Sequence, residues 1–107
     1  MSLDVDLYAV RRTKIFDSNI THNCNRMADA AGIYDCLWRA PENGFTHASQ
    51  LIGPLANGIA AMKADPAKFI ALEPENKWGT YRSFLPWLER LLEACEANPD
   101  AELETSR

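Results

Sequence analysis

The chain alternates in hydropathy at both of its ends. Leu3, Val5, Leu7 and Ala9 are separated by Asp4, Asp6 and Tyr8, and Ala101, Leu103 and Thr105 by Glu102 and Glu104. A period of two puts one set of side chains on one face of a strand. A short strand at either end is marginal by itself, so each must find a partner, and pairing the two ends antiparallel satisfies both. The intervening chain must then pack as a layer on the apolar face. A length of 107 residues supports one core. Residues 1–107 are therefore expected to form a single α+β domain, mainly helical, with 4–5 helices packed on a small antiparallel sheet that joins the N- and C-terminal strands.

Between the ends, helical spacing dominates. Arg11 and Arg12 begin a turn, and residues 13–16 suit a short second strand, since Thr, Ile and Phe favour a pleated surface. A helix capped by Asp17, Ser18 or Thr21 follows. Its apolar face is Ile20, Cys24, Met27, Ala28 and Ala31, with Gly32 at the left-handed C-terminal position. Residues 33–39 read as a further short turn of helix with Ile33 and Leu37 inward. Thr46 is expected to cap a helix through Ala48, Leu51, Ile52, Leu55, Ile59 and Met62, and Pro54 to kink or break it near Gly53. Asp65 and Pro66 restart a helix as N-cap and first residue. Tyr81, Phe84, Leu85, Leu88, Leu91, Leu92 and Cys95 form the longest apolar stripe, stopped by Asn98 and Pro99.

Composition narrows the function classes. Hydrophobic residues make up 47% and charged residues 24%, a mix that builds a packed core and not a disordered chain. No apolar run approaches the roughly 20 residues of a membrane span, and MSLDVDLYAV lacks the basic start of a secretory leader. The expectation is a cytoplasmic protein with no membrane partner. Cys24, Cys36 and Cys95 are odd in number and form no CxxC pair, so no metal and no cofactor is expected. Net charge is −4, and Glu89, Glu93, Glu96, Asp100, Glu102 and Glu104 crowd the last fifth of the chain against Arg90. That face repels a phosphate backbone. It is either a solvated helix face or a docking surface, centred on Glu93 and Glu96, for a partner with a basic surface.

Two stretches invite a chemical reading. If a helix is already running at Asn19, then Asn19, His22, Asn23 and Arg26 share one stripe. Four hydrogen-bonding side chains there would grip a polar small ligand, with His22 available as a base; alternatively the stripe faces water or ties the helix start to a loop. Cys24 lies on the apolar face, where a thiol stays protonated. In the second stretch, NKWGTYRSF, Trp78 and Tyr81 either stack on a ligand, fill a partner's pocket or staple the loop to the core. Trp38 and Arg39 pose the same choice.

Taken together, NITHN, LWR-PE, N-WG-Y and a C-terminal SR resemble, in order and over nearly the whole chain, a family of short bacterial and phage proteins. The resemblance implies one domain of this length and brings no activity with it. It groups Asn19, His22 and Asn23 with Trp78, Tyr81, Ser106 and Arg107 as one candidate binding set. Cys24 departs from the family's leucine and Lys77 from its glycine. The reading this favours is a non-enzymatic accessory protein of phage or mobile DNA. It would act by protein–protein binding, as a candidate inhibitor of a host defence complex of the anti-CRISPR type. The alternative is a small-ligand module or weak enzyme using the NITHN and WGTY surface.

Overall fold

The computed structural model describes residues 2–9 and 13–107. The turn expected at Arg11 and Arg12 lies outside the described residues. Three strands form an antiparallel sheet in the order β2-β1-β3, with β1 at Ser2–Tyr8, β2 at Lys14–Thr21 and β3 at Glu102–Ser106. The chain ends pair as expected, Asp4 opposite Ser106 and Tyr8 opposite Glu102. Central β1 turns Leu3, Val5 and Leu7 into the core, each at 0% exposure. Its other face carries Asp4 and Asp6. One face apolar and one wetted is the pattern of an antiparallel sheet covered on one side.

Five helices cover that side: α1 (Asn25–Ala30), α2 (Tyr34–Leu37), α3 (Ala48–Ala64), α4 (Pro66–Ile70) and α5 (Tyr81–Ala97). The long pair, α3 and α5, pack on each other, and Lys63 on α3 meets Glu89 on α5 at 2.8 Å. Close approach elsewhere needs glycine. A Cβ on Gly58 of α3 would fall 2.6 Å from Ile33 Cγ2, so the 31–33 connection is pressed against the helix. Trp87, which the apolar stripe of α5 omits, is buried beside Phe84 with ring centroids 6.1 Å apart. Its Nε1 has no hydrogen-bond partner among the described residues.

Four local expectations are corrected. First, β2 does not stop at Phe16 but continues to Thr21, so no helix is running at Asn19. Ile20, Cys24 and Met27 do fit helical spacing, but Phe16, Ser18 and Ile20 also fit a strand. The length of β1 decides between them, because Ser2 and Leu3 pair with Thr21 and Ile20. Of the three candidate caps, Thr21 is the one used: its hydroxyl oxygen accepts from the Asn23 amide at 3.2 Å and opens a 3-10 turn over His22–Cys24 that leads into α1. Second, His47, not Thr46, is the N-cap of α3. The Thr46 carbonyl is already accepting from Leu103 of β3 at 2.8 Å, and Gln50 Oε1 accepts from the amides of Thr46 and His47 at 2.7 and 2.9 Å. Third, α3 runs without a break through Pro54. Leu51, Leu55, Ile59 and Met62 lie on both sides of the proline and share one core, which outweighs the single missing backbone bond. Fourth, residues 40–44, whose Pro, Asn and Gly read as a loop, are not plain loop: Pro41–Asn43 form a 3-10 turn closed by Gly44 at φ 78°. The Asp65–Pro66 restart and the stop at Asn98–Pro99 are as expected, while Thr80 caps α5 and the helix runs on through Pro86.

Candidate functional site

His22 enters the interior from the turn that follows β2. Its Nδ1 accepts from Trp38 Nε1 at 2.7 Å. The neutral ring then carries its proton on Nε2, and the lone pair a general base would use is engaged. Trp38 is 3% exposed, stacks on Tyr34 at 5.7 Å and 5°, and meets Phe84 edge-on at 6.4 Å. NITHN and LWR-PE are therefore joined by one hydrogen bond inside an aromatic cluster.

The other motif residues are similarly engaged. Asn19 sits on β2, where its Nδ2 donates to Ser2 Oγ at 2.8 Å and to Asp4 Oδ1 at 2.6 Å, bridging the two strands. The stripe proposed for Asn19, His22, Asn23 and Arg26 does not exist, because the first of them is on a strand and the second and third on a 3-10 turn. Asn23 is half-buried beneath the tryptophan loop. A Cβ on Gly79 would come within 3.0 Å of Asn23 Cβ and 3.2 Å of Cys24 Sγ. Arg26 is exposed and lines a shallow groove with Asn25, Asp29 and Tyr34. Arg107 reaches not this cluster but Glu42: Arg107 Nη2 and Arg39 Nη1 meet the same Glu42 oxygen at 3.3 and 3.2 Å. The hydrogen bond from Arg39 holds the Glu42 carboxyl below the usual carboxylate range.

Residues 73–80 form a loop pinned along its length. Glu73 Oε2 accepts from the Tyr81 amide at 2.9 Å, the Lys77 amide donates to Pro74 O at 3.0 Å, and the Trp78 amide donates to Asn76 Oδ1 at 2.9 Å. Lys77 adopts φ 62°, a left-handed backbone that a side chain with a Cβ seldom takes. Tyr81 is spent on structure, its hydroxyl donating to Met62 O at the end of α3 at 3.0 Å. Trp78 is the exception. Its indole is 72% exposed, the most exposed large hydrophobic side chain described. Glu93 and Glu96 are exposed on α5, with Glu93 beside Phe16 in a shallow groove between α5 and β2. Glu73 was invisible as a site residue in the sequence; its i,i+4 spacing to Lys77, 3.7 Å away, was the available signal.

The thiols are buried and far from reactive. Burial pushes Cys24, Cys36 and Cys95 from about 9 up to about 12. A thiol protonated when folded but ionised when unfolded stabilises the fold fully below about pH 9, and that contribution is lost as pH rises toward about 12. Native protein at pH 8 is expected to leave all three unlabelled by a thiol reagent, with three labelled after denaturation. Stability measured upward from about pH 9 should fall. Rapid labelling of native protein would contradict this burial.

No group of three or more His, Cys, Asp or Glu side chains among the described residues is placed to hold a metal ion. No described helix is long and apolar enough to cross a membrane. Comparison with family models, with curated proteins and with solved structures gives no match, so the functional reading rests on the residues themselves.

Proposed function

We propose that this chain is a non-enzymatic interaction protein that engages a partner through the Trp78 loop. One observation carries the reading: a large indole stands in water on a loop held by backbone and side-chain bonds. Keeping such a side chain exposed is costly to solubility, and pre-organising it removes part of the entropy lost on binding. Tryptophan, with tyrosine and arginine, is enriched among the side chains that anchor protein interfaces. The setting we propose is a cytoplasmic accessory factor of phage or mobile DNA. The concrete version is an inhibitor of a host defence complex of the anti-CRISPR type. The net charge of −4 and the exposed Glu93 and Glu96 suit a partner with a basic surface that otherwise takes nucleic acid.

Trp78→Ala is expected to leave the unfolding midpoint nearly unchanged, because its side chain is mostly in water, and to abolish capture of the partner from host extract. Glu93→Lys with Glu96→Lys should weaken the same capture and flatten its salt dependence, because less attraction is left for salt to screen. Capture that survives Trp78→Ala undiminished would overturn the reading. A small-ligand role keeps one supporting observation, the groove of Arg26, Asp29 and Tyr34 beside the stacked Trp38. Tryptophan fluorescence across a nucleotide and metabolite panel would reveal it, and a flat response would remove it.

A further inference from the structure

We propose that the free edge of β2 accepts an extended segment of a partner protein, alternating apolar and basic residues, as a fourth strand of the sheet. This rests on the reading of the chain as an interaction protein but uses a surface separate from Trp78. The backbone directions fix which groups are on offer. Leu103 gives its amide to Thr46, away from β1, so β3 bonds β1 through Glu102, Glu104 and Ser106. By alternation, Leu3, Val5 and Leu7 of β1 bond β2 through Ile20, Ser18 and Phe16. The Ala9 amide keeps that parity by bonding Thr13 O at 2.9 Å. What remains, pointing out of the sheet, are the amides and carbonyls of Asp17 and Asn19. The opposite edge is covered by a bridge between His47 and Glu102. α5 packs on the inner face of β2, but among the described residues none hydrogen-bonds the outward backbone of Asp17 or Asn19. Its eight residues contain no proline, and its irregularity is confined to the Lys14 end, so it lacks most of the usual protection of an edge.

Side chains specify what would fit. Leu3, Val5 and Leu7 are sealed, while Phe16, Ser18 and Ile20 beside them are only half-buried. The inner side of β2 opens into the groove of Phe16, Arg90, Glu93, Ala94 and Ala97, and a neighbouring groove continues past Ile15, which is 41% exposed. Residues of an added strand opposite Phe16 and Ile20 would cover this strip, which calls for apolar side chains. On the other face the row Glu104, Asp6 and Asp17 runs across the three strands. The Asp17 side chain is 71% exposed, with Lys14 at 4.0 Å. The next position in that row favours a positive charge. A second copy of this chain would instead set two acidic sheets edge to edge, so a basic strand is the better complement.

The test uses a short synthetic peptide alternating valine and lysine, followed by amide exchange of the protein by NMR. Exchange at Asp17 and Asn19 is expected to slow by about tenfold or more at saturation, and Asp17→Lys to weaken binding by about tenfold. A peptide of the same composition in two blocks, and one N-methylated at its lysines, should give no protection. The same peptide should bind the Trp78→Ala variant equally well. Equal binding of the N-methylated or blocked peptide overturns strand addition. So does the absence of protection by any peptide, or a dimer in sedimentation that Asp17→Pro dissolves. If the peptide fails while Trp78-dependent capture persists, the edge proposal falls and the interaction reading stands.

Discussion

Replacing Gly79 with alanine is expected to destabilise the protein by about 3 kcal/mol, the sum of backbone strain and overpacking. Gly79 holds φ 107°, a conformation that side chains with a Cβ rarely adopt. Its missing Cβ also makes room for NITHN: an added methyl would press on Asn23 Cβ and its carbonyl carbon at 3.0 and 3.1 Å, and on Cys24 Sγ at 3.2 Å. Two of those atoms belong to backbone or to a fully buried side chain, so neither can swing aside. The loop must lift or the turn after β2 must shift. Chemical denaturation measures the effect directly. A midpoint within experimental error of the parent would mean that the tryptophan loop does not rest on NITHN and the turn it leads into.

Trp38→Ala should cost about 4 kcal/mol, in the range for emptying a buried aromatic site. Trp38 is 3% exposed, packs on Tyr34 and Phe84, and donates to His22. Trp38→Phe keeps much of the packing and deletes the donor, leaving His22 Nδ1 half-buried and unanswered, for a loss of about 1–2 kcal/mol. A double-mutant cycle with His22→Ala isolates the bond, with a coupling of about 1 kcal/mol. Trp87→Phe is the internal control. Its Nε1 has no partner to lose among the described residues, so it should cost less than Trp38→Phe. A coupling near zero would show that the His22–Trp38 bond does not hold the two motifs together.

How far the sequence can be read depends on which contacts decide each element. The paired ends were legible because period-two alternation has one structural meaning and a lone end strand has no stable form. The α5 stripe was legible because seven apolar positions repeat at one spacing. The NITHN stretch was not, because residues 16–24 satisfy two periods at once and the choice is made by β1, distant in the chain. Thr46 looked like a cap by composition, but Leu103 claims its carbonyl. The candidate site divides the same way. The sequence marked Asn19, His22, Asn23, Tyr81 and Arg107 as a group but could not say what each one touches. His22 bonds a residue 16 positions away and Arg107 one 65 positions away. The contacts that give these side chains their work are long-range, and they turn a proposed binding surface largely into internal fastening, with Trp78 left facing water.

Measuring stability and partner capture in parallel on Trp38→Phe and Trp78→Ala tests that division most directly. The expected result is a crossed pattern. Trp38→Phe unfolds at lower denaturant yet, while folded, captures the partner as the parent does; Trp78→Ala unfolds with the parent and captures nothing. The reverse pattern, with binding lost at the buried indole and kept at the exposed one, would contradict it.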